Sequence, residues 1–307
     1  MKKIVRKLYY LVIVLFYNSV RLLPFKAAVR LGGVLGAAGY HLVGKARAIT
    51  EENLRLAFPE KSEEEIRDTA KQVFVNQGRN AFEVFCYPKL SKQEILELVS
   101  VENEEGYLKA CAAQKGVLMA SAHCASWELL GAALSARGFT LNVIAKRIYI
   151  EGLNKLLLDL RSSKGLKIIF RSDTDSARKM IKALRAKETL ALLIDQDTDV
   201  PGVFVEFFGR PAWTPSGLAT LALKTGASVI VALDTRLPDG RHKVVITGPV
   251  DPVMTGDHEK DVLENTKIIT AMIESHIRKY PDQWVWMHER WKTPCTTQSA
   301  GQALNPS

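Results

Sequence analysis

No aspartate or glutamate occurs in the first 50 residues, where nine lysines and arginines stand (Lys2, Lys3, Arg6, Lys7, Arg21, Lys26, Arg30, Lys45 and Arg47). The net charge of +9 belongs to that stretch, because the rest of the chain carries 33 basic and 33 acidic residues. A nucleic-acid-binding tail is excluded, since the heart of the stretch is Leu8-Tyr-Tyr-Leu-Val-Ile-Val-Leu-Phe-Tyr17. Basic flanks around an aromatic-rich apolar run suit a membrane with anionic headgroups instead. A long hydrophobic run is also lacking. The uncharged segment Leu8–Val20 has thirteen residues, about 20 Å of helix against a hydrocarbon core of roughly 30 Å. Snorkelling of Arg21 extends it to Phe25. No small-residue cleavage site follows it, so the expectation is an uncleaved membrane anchor over residues 1–26, spanning or deeply embedded.

Cysteine is scarce and scattered. Cys86, Cys111, Cys124 and Cys295 form no Cys-x-x-Cys pair, which excludes a metal knuckle and predicts reduced thiols in a cytosolic domain. Cys124 adjoins His123, but neighbours in sequence point apart, which makes a Cys-His nucleophile there geometrically poor. No glycine-rich phosphate loop, His-Glu-x-x-His zinc motif or Gly-x-Ser-x-Gly elbow is present. Asp195, Asp197, Asp199 and Glu206 have the offsets of a calcium loop, but Val200 and Pro201 stand where its glycine turn is needed. No metal site is expected.

What is present is a rhythm. Apolar runs at 116–122, 139–145, 166–170, 189–194, 228–234 and 243–247 read as strands, with helices at 124–137, 151–164, 174–187, 215–225 and 259–279 between or after them. The alternation predicts an α/β layer fold. Upstream, 27–44, 51–58 and 62–87 read as helices, the last opened by a Ser62/Glu65 capping box. With hydrophobic content of 47%, 307 residues are ample for a core. The expected organisation is an anchor at 1–26, one domain at 27–295 and a polar, flexible tail at 296–307.

His123-Cys-Ala-Ser-Trp-Glu128 follows the first of those strands and opens a helix. An imidazole at a strand end, with a carboxylate five residues on, fits a general base and its orienting partner. Asp195-Gln-Asp197 ends another strand, where α/β folds place chemistry. Trp284-Val-Trp-Met-His-Glu-Arg-Trp-Lys292 reads as an aromatic core with a charged rim, or as a headgroup-phosphate site using Arg290 and Lys292. Residues 145–187 carry twelve basic residues against four acids, a surface suited to an acidic protein or a phosphorylated lipid.

These segments together resemble the bacterial lipid A late acyltransferases, the lauroyl/myristoyl transferases of lipopolysaccharide assembly. The matching pieces are the apolar N-terminus, Glu52-Asn-Leu-Arg-Leu-Ala-Phe-Pro-Glu60, His123-x4-Glu128 and Asp195-Gln-Asp197. Phe207-Phe-Gly-Arg-Pro-Ala-Trp-Thr214 and Pro281-Asp-Gln-Trp-Val-Trp-Met-His-Glu-Arg-Trp-Lys-Thr293 complete the set. The resemblance implies a mixed central sheet flanked by helices, like the glycerolipid acyltransferases, with an N-terminal membrane helix. It also implies a hydrocarbon groove, an acyl-carrier-protein thioester as donor and a lipid A precursor as acceptor. His123 would take the acceptor proton, Glu128 would fix its tautomer, and the resulting oxyanion would meet Arg161 or backbone N–H groups at the helix start. Asp195 and Asp197 would position the site. No cofactor and no nucleic acid are implied. The implied location is the bacterial inner membrane, with the catalytic domain facing the cytoplasm. Lys146-Arg-Ile-Tyr-Ile-Glu-Gly-Leu-Asn154 follows the family's basic-then-Asn pattern only loosely.

Two other readings compete. One is an acyltransferase for a lysophospholipid or another glycolipid, using acyl-CoA, which the His-x4-acid pair would serve equally well. Against its glycerolipid branch, Phe207-Phe-Gly-Arg-Pro stands where a Phe-Pro-Glu-Gly-type block would be. The other is a peripheral lipid-binding protein without turnover, for which His123 would be dispensable.

Overall fold

A computed structural model describes residues 2–295, with side chains from residue 10 onward. The expected tail at 296–307 and the side chains of Lys2, Lys3, Arg6 and Lys7 lie outside the described residues. Helices α1 (Lys2–Arg21), α2 (Phe25–Leu42), α3 (Gly44–Ala57) and α4 (Glu63–Cys86) come first, followed by α5 (Lys92–Leu98), β1 (Val99–Glu102) and α6 (Glu104–Ala112). Strand and helix then alternate through β2 (Val117–Ser121), α7 (Trp127–Ala136), β3 (Leu141–Ala145), α8 (Glu151–Ser162), β4 (Lys167–Phe170), α9 (Ser176–Arg185) and β5 (Thr189–Leu193). A hairpin of β6 (Gly202–Phe207) and β7 (Arg210–Pro215) leads to α10 (Gly217–Thr225), β8 (Ser228–Arg236), β9 (His242–Val250) and α11 (His258–Lys279).

The main sheet has the order β1-β9-β8-β2-β5-β3-β4, and its neighbours are parallel except β8 and β9. It is the mixed sheet flanked by helices that was expected, and it is mostly parallel. Period-two alternation makes two cores from it. Leu118, Ala120, Val229 and Val231 face the core that contains Phe74, Ile273 and Trp286. Val117, Met119, Ile230 and Ala232 face the one that contains Leu129, Leu130 and Leu160. Strands β8, β2, β5, β3 and β4 run the same way, so their carboxyl ends share one edge. His123 and Asp195 follow β2 and β5 on that edge, where open parallel sheets present ligand crevices.

The N-terminal helices depart from expectation. Among the described residues, no helix is long and apolar enough to cross a membrane. The spanning reading of 1–26 therefore has no support, and α1 instead spends one face on protein. Tyr17 and Val20 are buried, and the Phe16 and Tyr17 rings meet Phe82 and Phe85 of α4 edge-on at 5.6 and 5.7 Å. The other face of α1 and α2 shows Leu11, Val12, Leu15, Leu31, Val34 and Leu35 to the outside. Backbone contact seats α2 on α4: a Cβ built on Gly78 would stand 2.1 Å from the Gly32 carbonyl oxygen.

Short elements escaped the sequence reading. Strand β1, helices α5 and α6, and the β6–β7 hairpin were not expected. Strand β1 has only four residues, and the hairpin carries Pro211 and Pro215, which argue against a strand unless it lies outside a main sheet.

Candidate active site

His123 stands at the carboxyl end of β2, held from both ends of its own residue by Asp195. The Asp195 carboxylate accepts the His123 backbone N–H at 2.8 Å through Oδ2 and faces ring Nδ1 at 2.9 Å through Oδ1. The Trp284 indole donates to the same Oδ2 at 2.6 Å. Burial alone would raise the Asp195 carboxyl, but the His123 charge and these three hydrogen bonds hold it below the ordinary carboxylate range. A fixed carboxylate on Nδ1 leaves Nε2 to exchange a proton, and the His123 side chain is 21% exposed where Asp195 is sealed.

The expected pairing of His123 with Glu128 is corrected by this geometry. Glu128 opens α7, and Arg161 of α8 grips its carboxylate through Nε at 3.1 Å and Nη2 at 2.6 Å. A spacing of five residues across a turn and a helix start does not aim the carboxylate at the ring. Asp195, from the neighbouring strand β5, arrives instead. Trp127, beside Glu128, sets its ring edge-on to the His123 ring at 4.9 Å.

Several backbone groups from His123 to Ser126 are tied to distant segments. Val285 N–H donates to the His123 carbonyl at 3.2 Å, and Ala125 N–H donates to the Gln283 carbonyl at 2.8 Å. Ser126 N–H donates to Asp234 of β8 at 2.8 Å. Ala125 adopts a left-handed φ of 41°, a conformation a non-glycine residue holds only when its surroundings impose it. Cys124 points into a core and burial pushes its thiol up, so it is no nucleophile.

Asp234 belongs to a buried charge network the sequence reading missed. Its carboxylate pairs with His242 Nδ1 at 2.7 Å, and His242 Nε2 lies 3.2 Å from Glu83 of α4. Arg236 grips Glu83 with both amino groups and donates to Asn80 Oδ1 at 2.7 Å. Burial would lower His242, but Asp234 and Glu83 push it up to about 9. Burial would raise Glu83, but His242 and Arg236 hold it at about 2. Nothing in the sequence pattern marked these residues, because their partners are separated by as many as 159 positions.

Asp197 is buried and serves the C-terminal segment. It accepts Thr293 N–H and Oγ1, both at 3.0 Å, while His288 Nε2 donates to its carbonyl at 3.0 Å. Arg290 is fully buried, with Nη1 on the Trp213 carbonyl and Nη2 on Thr214 Oγ1, both at 2.6 Å. That corrects the expected headgroup-phosphate role for Arg290: its amino groups are spent inside the protein. Lys292 stays 44% exposed, 3.9 Å from Asp197. Asn154 accepts Ile148 N–H at 3.1 Å and so shapes the loop between β3 and α8. Among the described residues, no three His, Cys, Asp or Glu side chains gather as a metal site.

The pattern of a protein family described as bacterial lipid A biosynthesis acyltransferase matches residues 1–293. The chain belongs to this family. The acyltransferase is 28% identical over 284 residues to a lipid A biosynthesis lauroyltransferase of Escherichia coli K12, covering 88% of this chain and 87% of that one. It is 24% identical over 280 residues to the lipid A biosynthesis palmitoleoyltransferase of the same organism, with the same coverage. It is also 28% identical over 219 residues to a phosphatidylinositol mannoside acyltransferase of Mycobacterium tuberculosis, covering 70% of this chain and 67% of that one. The acyltransferase thus has relatives that differ in the glycolipid they acylate.

Proposed function

We propose that the enzyme moves a fatty acyl chain from an acyl-carrier-protein thioester to a hydroxyl of a lipid A precursor, with His123 as general base. The observation that carries this is the His123–Asp195 pair: an orienting carboxylate on Nδ1 and an open Nε2. Nε2 takes the acceptor proton as the oxygen bonds to the thioester carbon. The tetrahedral intermediate then breaks its C–S bond, and the departing thiolate takes that proton from His123. Asp195 stabilises the imidazolium between the two steps. Arg161 keeps Glu128 in place at the start of α7, its guanidinium paired with that carboxylate. Lys292 remains a candidate for an acceptor phosphate, and Asp197 holds the segment that presents it.

Helices α1 and α2 suit a membrane surface rather than a crossing. Leu15 and Val34 are 67% and 65% exposed, and Lys26, Arg30 and Lys45 are exposed alongside. Apolar residues dip into the acyl boundary while cations meet anionic headgroups. This fits the cytoplasmic face of the inner membrane, where the lipid acceptor is reached from its own layer. Exposed Arg178, Lys182 and Arg185 follow one face of α9 without an ion pair among the described residues, a surface fitted to an acidic carrier protein.

The test is transfer of radiolabelled acyl groups from acyl-carrier protein to a Kdo-bearing lipid A precursor, with wild type and His123→Ala side by side. Label is expected with wild type and a loss of at least ~100-fold with the variant. A second acceptor, a mannosylated phosphatidylinositol, belongs in the same assay because a relative acylates that class. Transfer to it alone would sink the lipid A reading.

A further inference from the structure

We infer that Asp234, near the carboxyl end of β8, is a positioning residue for the reaction. Its carboxylate fixes the Ala125–Ser126 turn and so holds the Trp127 ring against the His123 imidazole. The inference rests on the reading of His123 as general base and adds a residue that acts through it. Asp195 secures one edge of the imidazole, at Nδ1. A ring hinged on one bond can still tilt about it, and Nε2, on the far side, swings furthest. The Trp127 ring, edge-on at 4.9 Å with the planes 70° apart, is the second contact that stops the tilt. Trp127 is the first residue of α7, so its place depends on the turn that joins β2 to that helix.

The turn is not held by its own residues. Ser126 gives α7 no side-chain cap, and Ala125 sits in the left-handed region at a φ of 41°. The restraint reaches it from β8 by two routes. Asp234 Oδ2 accepts the Ser126 N–H at 2.8 Å. The Gln283 carbonyl accepts the Ala125 N–H at 2.8 Å. Gln283 is in turn fastened to β8 by its side chain, which accepts the Arg236 N–H at 2.7 Å and donates to the Arg236 carbonyl at 3.1 Å. Two residues of one strand therefore fix two successive amides of the turn.

The acceptor at 234 is kept charged. Oδ2 takes a second donor, His242 Nδ1 at 2.7 Å, while Oδ1 has no partner and Asp234 is only 1% exposed. A carboxylate so poorly solvated stays ionised only beside a cation, and His242, flanked in turn by Glu83 at 3.2 Å, supplies it. A hydrogen bond to an ionised acceptor is about twice as strong as a neutral one, and a left-handed alanine needs that margin. Joining β8 to β9 does not need the carboxylate, since backbone pairing already sets Asp234 opposite Val244. The turn beside His123 is what the charge serves. Freed from Asp234, the turn relaxes, Trp127 shifts, and Nε2 loses its line to the acceptor hydroxyl.

Acyl transfer by full-length Asp234→Ala is measured with both glycolipid acceptors, beside Leu233→Ala, which truncates a buried neighbour in the core that contains Ile273. Asp234→Ala is expected to lower kcat by ~30-fold or more with KM within ~3-fold, because a misplaced base loses rate rather than binding. Leu233→Ala is expected to keep kcat within ~3-fold although its melting temperature also falls. The second readout is the nuclear magnetic resonance signal of His123 in enzyme labelled at histidine Cε1, assigned by its absence from His123→Ala. It should move or broaden in Asp234→Ala and stay in place in Leu233→Ala. Equal kcat losses in the two variants, or an unmoved signal, overturn the role. If Asp234→Ala does not fold, Asp234→Asn decides, since it keeps an oxygen for the Ser126 N–H and removes the charge. A kcat cut at least ~5-fold at unchanged KM supports the role, and an unchanged kcat removes it. Transfer that survives His123→Ala would sink the general-base reading. Transfer lost in His123→Ala but normal in Asp234→Ala would sink the role of Asp234 alone.

Discussion

His123 has one ring nitrogen committed to a carboxylate that water does not reach, and Asp195 has three donors and no freedom. Asp195→Asn keeps the shape and removes the charge that stabilises the imidazolium. Steady-state kinetics should therefore show kcat down by ~10²-fold or more with the fold intact. Glu128→Gln acts elsewhere. It removes the charged partner of a half-buried Arg161 and should cost about 1–3 kcal/mol in denaturant unfolding. A kcat in Asp195→Asn close to wild type would remove Asp195 from the chemistry. His123 and Asp195 were both legible as candidates in the sequence, but their pairing was not. Spacing along the chain pointed to Glu128, whereas the partner is set by which strands lie side by side, and β5 joins β2 only after three helical crossovers. Arg290 misled for a related reason. A cation among tryptophans reads as a rim, yet here the aromatic residues close over it.

At the scale of elements, α2 and α4 meet through glycine, with no side chain between them at Gly78 and Gly32. Gly78→Ala should push the two helices apart and cost about 1–3 kcal/mol, read as a shifted unfolding midpoint with an unchanged slope. The network joining α4, β8 and β9 gives a second test. His242 is held protonated to about 9, against roughly 6.5 when unfolded. Its stabilisation is whole below about pH 6.5 and fades as pH rises through 9. Glu83, held at about 2, contributes above roughly pH 4.5 and is lost only as pH falls toward 2. Melting temperature should thus drop more between pH 6.5 and 9.5 in wild type than in His242→Gln; equal slopes would contradict the account. The strand–helix alternation from 116 to 193 was legible because a parallel sheet buried on both faces needs near-continuous apolar strands. The β6–β7 hairpin was not, since its prolines and the Phe208-Gly209 turn read as a loop.

Across the whole molecule, charge and grease are segregated. The acid-free N-terminal sixth was visible in the sequence as membrane-seeking, but its depth was not, because α1 divides its apolar residues between α4 and the outside. Leu15→Asp with Val34→Asp should weaken binding to anionic vesicles by at least ~10-fold in a flotation assay. Turnover on a detergent-dispersed acceptor should change little. Vesicle binding that withstands both substitutions would assign the lipid contact to another face.

The strand bridge between Cys124 and Trp284 has a consequence for the order of synthesis. His123 leaves the ribosome long before the residues that complete its surroundings. Until Gln283, Trp284 and Val285 emerge, Asp195 lacks its indole and the Ala125 turn lacks its restraint. Helices α1 and α2, with their exposed apolar side chains, by contrast come first. On the proposed membrane reading, a nascent chain can therefore meet the bilayer while still chemically inert, and acquire its activity afterwards.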